Sequence, residues 1–326
     1  MKNMVSDLQK EAWERLAGLL DRLPHALLLH GAPGVGKLAL AERFAQRLLC
    51  EKPVPGGQAC DACDACRWFL RGNHPDIRYL EPETLARNLP EAEEGEEEKP
   101  RDRKPSNQIR IEQTRALGDF VHLGSHRGGR RVVIVHPAED MNTATANSLL
   151  KMLEEPPAGA VFLLVSHRPA RLLPTIRSRC VPVPVPVPDA KAAAAWLTAQ
   201  GLRNAGQWLA FAGGAPLRAQ EYAAGERGAA IERVLRGIAA GDRGTLAELK
   251  DRGELDPLAE VLQKMALDRA FGSLAGQTKY GGAPRPGDAR AWLAYARSLG
   301  RYRALTRHTL NAKLFAAEML ADMPEG

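Results

Sequence analysis

LLLHGAPGVGKLAL, residues 27–40, sets the reading of the whole chain. An apolar run, Leu27-Leu28-Leu29, meets a glycine-rich turn, Gly31-Ala32-Pro33-Gly34-Val35-Gly36, followed by Lys37 and the apolar start of a helix. Strand, loop and helix in this order make a phosphate-binding loop. Gly34 and Gly36 let the backbone curl with its N–H groups turned inward, and the helix N-terminus adds partial positive charge. Together with Gly31 and Lys37 they are the candidate cofactor-binding residues. After the lysine, Ser or Thr is expected, whose hydroxyl holds Mg²⁺; here the residue is Leu38, which cannot ligate a hard cation. The loop keeps the means to hold a phosphate and has lost the means to hold its metal.

The helix that follows runs without a breaker to Leu49 and leads into a cysteine cluster. Cys50, Cys60, Cys63 and Cys66 are spaced C-x9-C-x2-C-x2-C. Four of the chain's five cysteines lie within these 17 residues, and thiols kept reduced in a cytosolic protein point to metal rather than disulfides. Four thiolates at these spacings wrap one tetrahedral Zn²⁺ and leave no open position, so the site is structural. Cys180 stands apart.

A chain of 326 residues is too long for one core and divides into two or three domains. A net charge of +6 permits nucleic-acid contact without establishing it. No apolar run reaches the length of a membrane span, and residues 1–20 lack the uninterrupted apolar segment of a signal peptide. A cytoplasmic protein with no membrane partner is expected. From about 85 to 108 the composition changes: six glutamates fall between Glu91 and Glu98, followed by KPRDRKPSNQ. Such a segment buries too little apolar surface to order itself and reads as a flexible acidic insertion.

Structure resumes at Ile109 with a short entry segment and a helix. Val132-Val133-Ile134-Val135 and Val161-Phe162-Leu163-Leu164-Val165 are apolar runs typical of buried parallel strands. Between them Met141–Glu155 is a helix stopped by Pro156-Pro157. A nucleotide hydrolase of this plan carries acidic residues at the end of the first of these strands, for Mg²⁺ and for the attacking water. This chain has His136 and Pro137 there, with Glu139 and Asp140 in the next turn. Two metal-handling positions have failed independently, so ATP hydrolysis by the chain is not expected.

VPVPVPVP, residues 181–188, cannot be a central strand and reads as a stiff extended linker. Beyond it, residues 189–225 give two or three short helices around Trp196, Trp208 and Phe211, broken at Gly213-Gly214-Ala215-Pro216. Residues 227–326 give longer amphipathic helices, including Leu255–Phe271 and Ala289–Leu320, the latter with a break near Gly300. The plan is a parallel α/β domain, a small helical domain and an all-helical domain.

Four local patterns in this order carry a resemblance: GAPGVGKLAL, the C-x9-C-x2-C-x2-C module, ANSLLKMLEEPP (Ala146–Pro157) and IRSRC (Ile176–Cys180). Over its full length the chain resembles the delta-prime subunits of the bacterial DNA polymerase III clamp loader, within the AAA+ family. The resemblance implies an AAA+ α/β domain over residues 1–184 with an inserted zinc module at 50–66. It further implies a helical lid domain over 185–226 and a helical oligomerisation collar over 227–326. The partners it implies are delta and tau/gamma subunits in a hetero-pentamer that loads the sliding clamp onto primed DNA. Delta-prime subunits are described as members that do not use ATP, and Leu38, His136 and Pro137 agree with that. Taken alone, Ser178-Arg179-Cys180 reads as a surface ion pair; the family context makes Arg179 an arginine finger, reaching in trans to ATP on a neighbouring motor subunit. Arg218 lies one residue out of register with the sensing arginine of ATP-using relatives, and Lys37 is retained although no ATP use requires it.

Two other readings compete. An active tau/gamma-like motor subunit would turn over ATP through Lys37. A zinc-dependent nucleic-acid module would rest on the four cysteines and the positive charge, but the chain has no clustered basic–aromatic stripe.

Overall fold

In a computed structural model, residues 8–86, 105–122, 129–240, 252–281, 286–305 and 311–324 are described. The chain divides into two compact units, Met1–Val187 and Pro188–Gly326.

The first unit runs α1 (Lys10–Ala17), β1 (Ala26–His30), α2 (Lys37–Leu49), α3 (Asp64–Leu70), β2 (Ile77–Leu80), α4 (Ile111–His122), β3 (Arg131–Val135), α5 (Thr143–Glu154), β4 (Ala160–Ser166), α6 (Pro174–Arg177) and β5 (Val181–Pro184). Its five strands form one parallel sheet in the order β2-β3-β4-β1-β5. The apolar runs read from the sequence are its inner strands, continuous because both faces are covered. Leu28, Val133, Val135, Phe162 and Leu164 join one core with residues of α4, α5 and α6. The alternate residues Leu29, Val132, Ile134, Leu163 and Val165 are equally buried on the opposite face, where α2 packs.

The edge strands depart from the sequence expectation. β2 falls in a tetrapeptide, Ile-Arg-Tyr-Leu, with only its two end residues buried, too short for a period to show. The first half of VPVPVPVP is not a linker but strand β5, paired with β1 in the register Leu27↔Val181, Leu28↔Pro182, Leu29↔Val183, His30↔Pro184. Proline is tolerated because the strand lies at the edge: Val185 N–H donates to His30 O, so the valine frame faces β1 and the proline frame, which has no N–H to offer, faces outward.

Residues 87–104, which hold the six glutamates of the acidic insertion, lie outside the described residues. Its two ends meet: Thr84 N–H donates to Ser106 O at 3.3 Å, and Ser106 N–H to Glu83 Oε2 at 2.8 Å.

The second unit is helical among its described residues: α7 (Ala190–Ala199), α8 (Ala205–Phe211), α9 (Pro216–Ala223), α10 (Gly225–Ala240), α11 (Leu255–Ala275), α12 (Ala289–Leu305) and α13 (Ala312–Ala321). Gly300 does not break a helix. It sits inside α12, where a β-carbon would come 3.3 Å from Gln263 Nε2 of α11, so the glycine serves close helix packing. No helix among the described residues is long and apolar enough to cross a membrane.

Four of these helices converge on one carboxylate. Glu260 of α11 is 2% exposed. It accepts from the Tyr222 hydroxyl and from Arg227 Nη2 at 2.6 Å, and pairs with Lys264 at 3.0 Å, Arg303 at 3.6 Å and Arg218 at 3.9 Å. Arg218, the near-miss for a sensing arginine, is thus engaged within its own unit. Burial alone would raise the Glu260 pKa; the Tyr222 hydrogen bond and the Lys264 and Arg303 charges override it and hold the carboxyl at about 2.

Without Glu260 the Lys264 ammonium, 13% exposed, loses its carboxylate, whereas the arginines keep contact with water. Glu260→Ala should therefore cost about 1–3 kcal/mol in urea unfolding of the full chain. The folded pKa is depressed, so this carboxylate's contribution is complete above the unfolded value of 4.5 and is lost as pH falls toward about 2. The variant should show a correspondingly flatter acid limb; an unchanged limb would count against the hub.

Candidate phosphate loop, metal centre and exposed arginine

The loop after β1 has the shape its glycines predict. Gly34 and Gly36 take φ values of 77° and 96°, and Gly36 precedes the first residue of α2 in the left-handed region. Gly31 has no room for a side chain, since a β-carbon there would lie 2.3 Å from Val185 O. Gln9, 2% exposed, ties the same parts together, its Nε2 donating to Val35 O at 2.6 Å and Pro186 O at 3.2 Å. Sequence reasoning missed Gln9, because nothing local marks a residue that lies 26 positions before its partner.

Lys37 is 2% exposed, and its Nζ donates to Gly31 O at 2.9 Å and Ala32 O at 2.6 Å. Burial lowers its pKa to about 8, against the opposing charge of Glu139. Two of the three ammonium donors thus go to carbonyls of its own loop. Leu38 is half-buried beside it, and β3 is followed by His136 and Pro137. The His136 ring meets that of His167 edge-on at 5.5 Å. Glu139 accepts from His167 N–H, at 2.9 and 3.2 Å to its two oxygens, which ties it to the end of β4. Leu38, His136 and Pro137 bring no side-chain oxygen to the loop and the end of β3.

The four cysteines come together. Their sulfurs all lie within 4.8 Å of one another, with Cys50–Cys60 at 3.5 Å, Cys60–Cys66 at 3.9 Å and Cys50–Cys63 at 4.0 Å. Sulfurs bound about 2.3 Å from a tetrahedral zinc stand about 3.8 Å apart, so the donor set fits such an ion. Backbone amides support it: Cys60 N–H points to Cys50 Sγ, Cys63 N–H to Cys60 Sγ and Cys66 N–H to Cys63 Sγ, at 3.3–3.4 Å. The amides of Ala62 and Cys63 lower the Cys60 thiol to about 6, whereas burial raises Cys66. All four sulfurs are needed to complete the tetrahedron, so the cluster can hold a metal ion such as zinc structurally. It is anchored to the phosphate-loop helix. Cys50 terminates α2, and Asp61 accepts from Arg43 at 2.6 Å and Gln46 at 2.9 Å, both on α2.

Arg179 is joined to the preceding motif of the sequence. Its Nη2 lies 2.6 Å from Glu154 Oε1, at the end of α5, and its Nη1 donates to Thr175 O at 3.0 Å. Its neighbours in sequence pin the backbone: Ile176 is fully buried, Cys180 is 6% exposed, and Arg179 N–H bonds Ile176 O. The side chain itself remains 34% exposed. The lone Cys180 is accounted for as core, its pKa raised to about 12 by burial.

For the metal centre, metal analysis of the purified chain should return about one Zn²⁺, lost with Cys63→Ser and accompanied by a fall of several degrees in the thermal midpoint. Absence of metal, or an unchanged midpoint after its removal, would refute a structural site.

Residues 8–189 match the family model described as DNA polymerase III, delta subunit. The chain is 40% identical over 271 residues to a DNA polymerase III subunit delta' of Pseudomonas aeruginosa, covering 81% of this chain and 73% of that one. It is 35% identical over 248 residues to the subunit delta' of Yersinia pestis, covering 73% and 67%. To the subunit tau of Salmonella typhimurium it is 33% identical over 162 residues, half of this chain and 22% of that one. The loop, the cysteine cluster and the IRSRC turn all lie within the matched region, and the chain belongs to the DNA polymerase III delta-prime family.

Proposed function

We propose that the chain is the non-catalytic delta-prime member of a DNA polymerase III clamp-loader complex. It assembles with delta and tau/gamma subunits in a hetero-pentamer and helps load the sliding clamp onto primed DNA, in the cytoplasm. The observation that carries a non-catalytic role is the set of side chains at the phosphate loop and the end of β3: Leu38, His136 and Pro137 stand where magnesium would need oxygen ligands. Such a site can neither bridge a metal to a nucleotide nor activate a water. Zinc at Cys50, Cys60, Cys63 and Cys66 is structural.

The chain acts instead on a neighbour's nucleotide. Arg179, held by a rigid turn yet partly exposed, serves as an arginine finger in trans, where its guanidinium stabilises charge on the phosphoryl group being transferred. On this reading residues 1–184 are the AAA+ domain, 185–226 the lid and 227–326 the collar through which the ring is held.

Purified alone, the chain should show no ATP turnover above background with DNA and clamp present; turnover abolished by Lys37→Ala would make it a motor subunit of the tau/gamma type. In the reconstituted complex, Arg179→Ala should leave assembly intact and slow DNA-stimulated hydrolysis at the affected site, by about 10³ or less. Wild-type turnover in that variant would remove Arg179 from the mechanism.

A further inference from the structure

ANSLLKMLEEPP and IRSRC are separate in sequence, and one ion pair joins them. Glu154 is the last residue of α5, a helix fixed at its start by Asn142, whose Oδ1 accepts from Thr145 N–H at 2.8 Å, and along its length by the buried Leu149 and Leu153. Its carboxylate is half exposed and meets Arg179 Nη2 at 2.6 Å. Thr175 O takes a second N–H, from Nη1. A guanidinium has five N–H donors in one plane, so these two contacts leave three for another acceptor and set the direction of the fork.

We propose that Glu154 is a positioning residue for Arg179: from the end of a rigid helix it orients the guanidinium so that its free donors meet an anionic phosphate on a neighbouring subunit. This rests on the reading of Arg179 as acting in trans. Glu154 guides the arginine rather than locking it away. A half-exposed pair is held weakly in water, so an incoming phosphate shares the guanidinium at small cost, while rotamers that point it elsewhere are depopulated beforehand. A long, otherwise mobile side chain thereby reaches its target with less ordering left to do.

The test is a double-mutant cycle in the reconstituted clamp-loader complex, read as DNA-stimulated ATP turnover. Glu154→Gln and Glu154→Ala should each lower kcat roughly two- to fivefold, the range open to a half-exposed pair, with KM for ATP and assembly unchanged. Gln, which keeps an acceptor oxygen, should be the milder change. In an Arg179→Ala background neither substitution should have any further effect. Wild-type kcat in both Glu154 variants overturns the inference, as does an equal loss with and without Arg179, which would place the action of Glu154 elsewhere. If Arg179→Ala alone leaves turnover unchanged, the trans reading itself fails, and the Glu154 proposal falls with it.

Discussion

The backbone contact between Gly31 and Val185 is the constraint around which the first unit is arranged. A β-carbon at residue 31 would stand 2.3 Å from the Val185 carbonyl oxygen, so the loop and the extension of β5 pack together with no room for a side chain between them. β5 pairs in register with β1 at Val181–Pro184, and this pairing places Cys180 and Arg179, just before β5, beside the start of β1. The phosphate loop and the arginine turn are thus held by one strand, β1, with the loop leaving its C-terminal end and the turn entering beside its start. Gln9 closes the arrangement by bonding both the loop and Pro186.

On that frame the two sites have opposite characters. The phosphate loop is closed on itself, its lysine buried and bonded to the carbonyls of residues 31 and 32. Those bonds satisfy the Lys37 ammonium: a charge buried this deeply needs acceptors, and the loop supplies two. The cysteine cluster depends on the same helix. Arg43 and Gln46 of α2 grip Asp61 between the second and third cysteines, and Cys50 ends that helix, so the four-cysteine module is fastened to the element that frames the loop.

Local sequence carried what depends on local chemistry. The strand–loop–helix order at residues 27–40, the cysteine spacing, the inner strands and the helix before Pro156 were all readable, because each is set by periodicity, by ligand chemistry or by a residue with one backbone preference. Edge strands were not: β2 has four residues with two buried, and β5 contains prolines that argue against a strand unless its outer side is known to be free. Gly300 misled for a similar reason, since its value lies in what α11 places against it.

By itself the sequence determined a phosphate-loop α/β domain, four thiols spaced for one tetrahedral metal, and side chains without oxygen at Leu38, His136 and Pro137. Only the tertiary structure decided where the charges go. Lys37 turns into its own loop, Glu154 takes Arg179, and Glu260 gathers Tyr222, Arg227, Lys264 and Arg303. The physical reason is that an ion pair joins residues through space at a few ångströms whatever their distance along the chain, and no period or motif records which side chains the fold will bring that close.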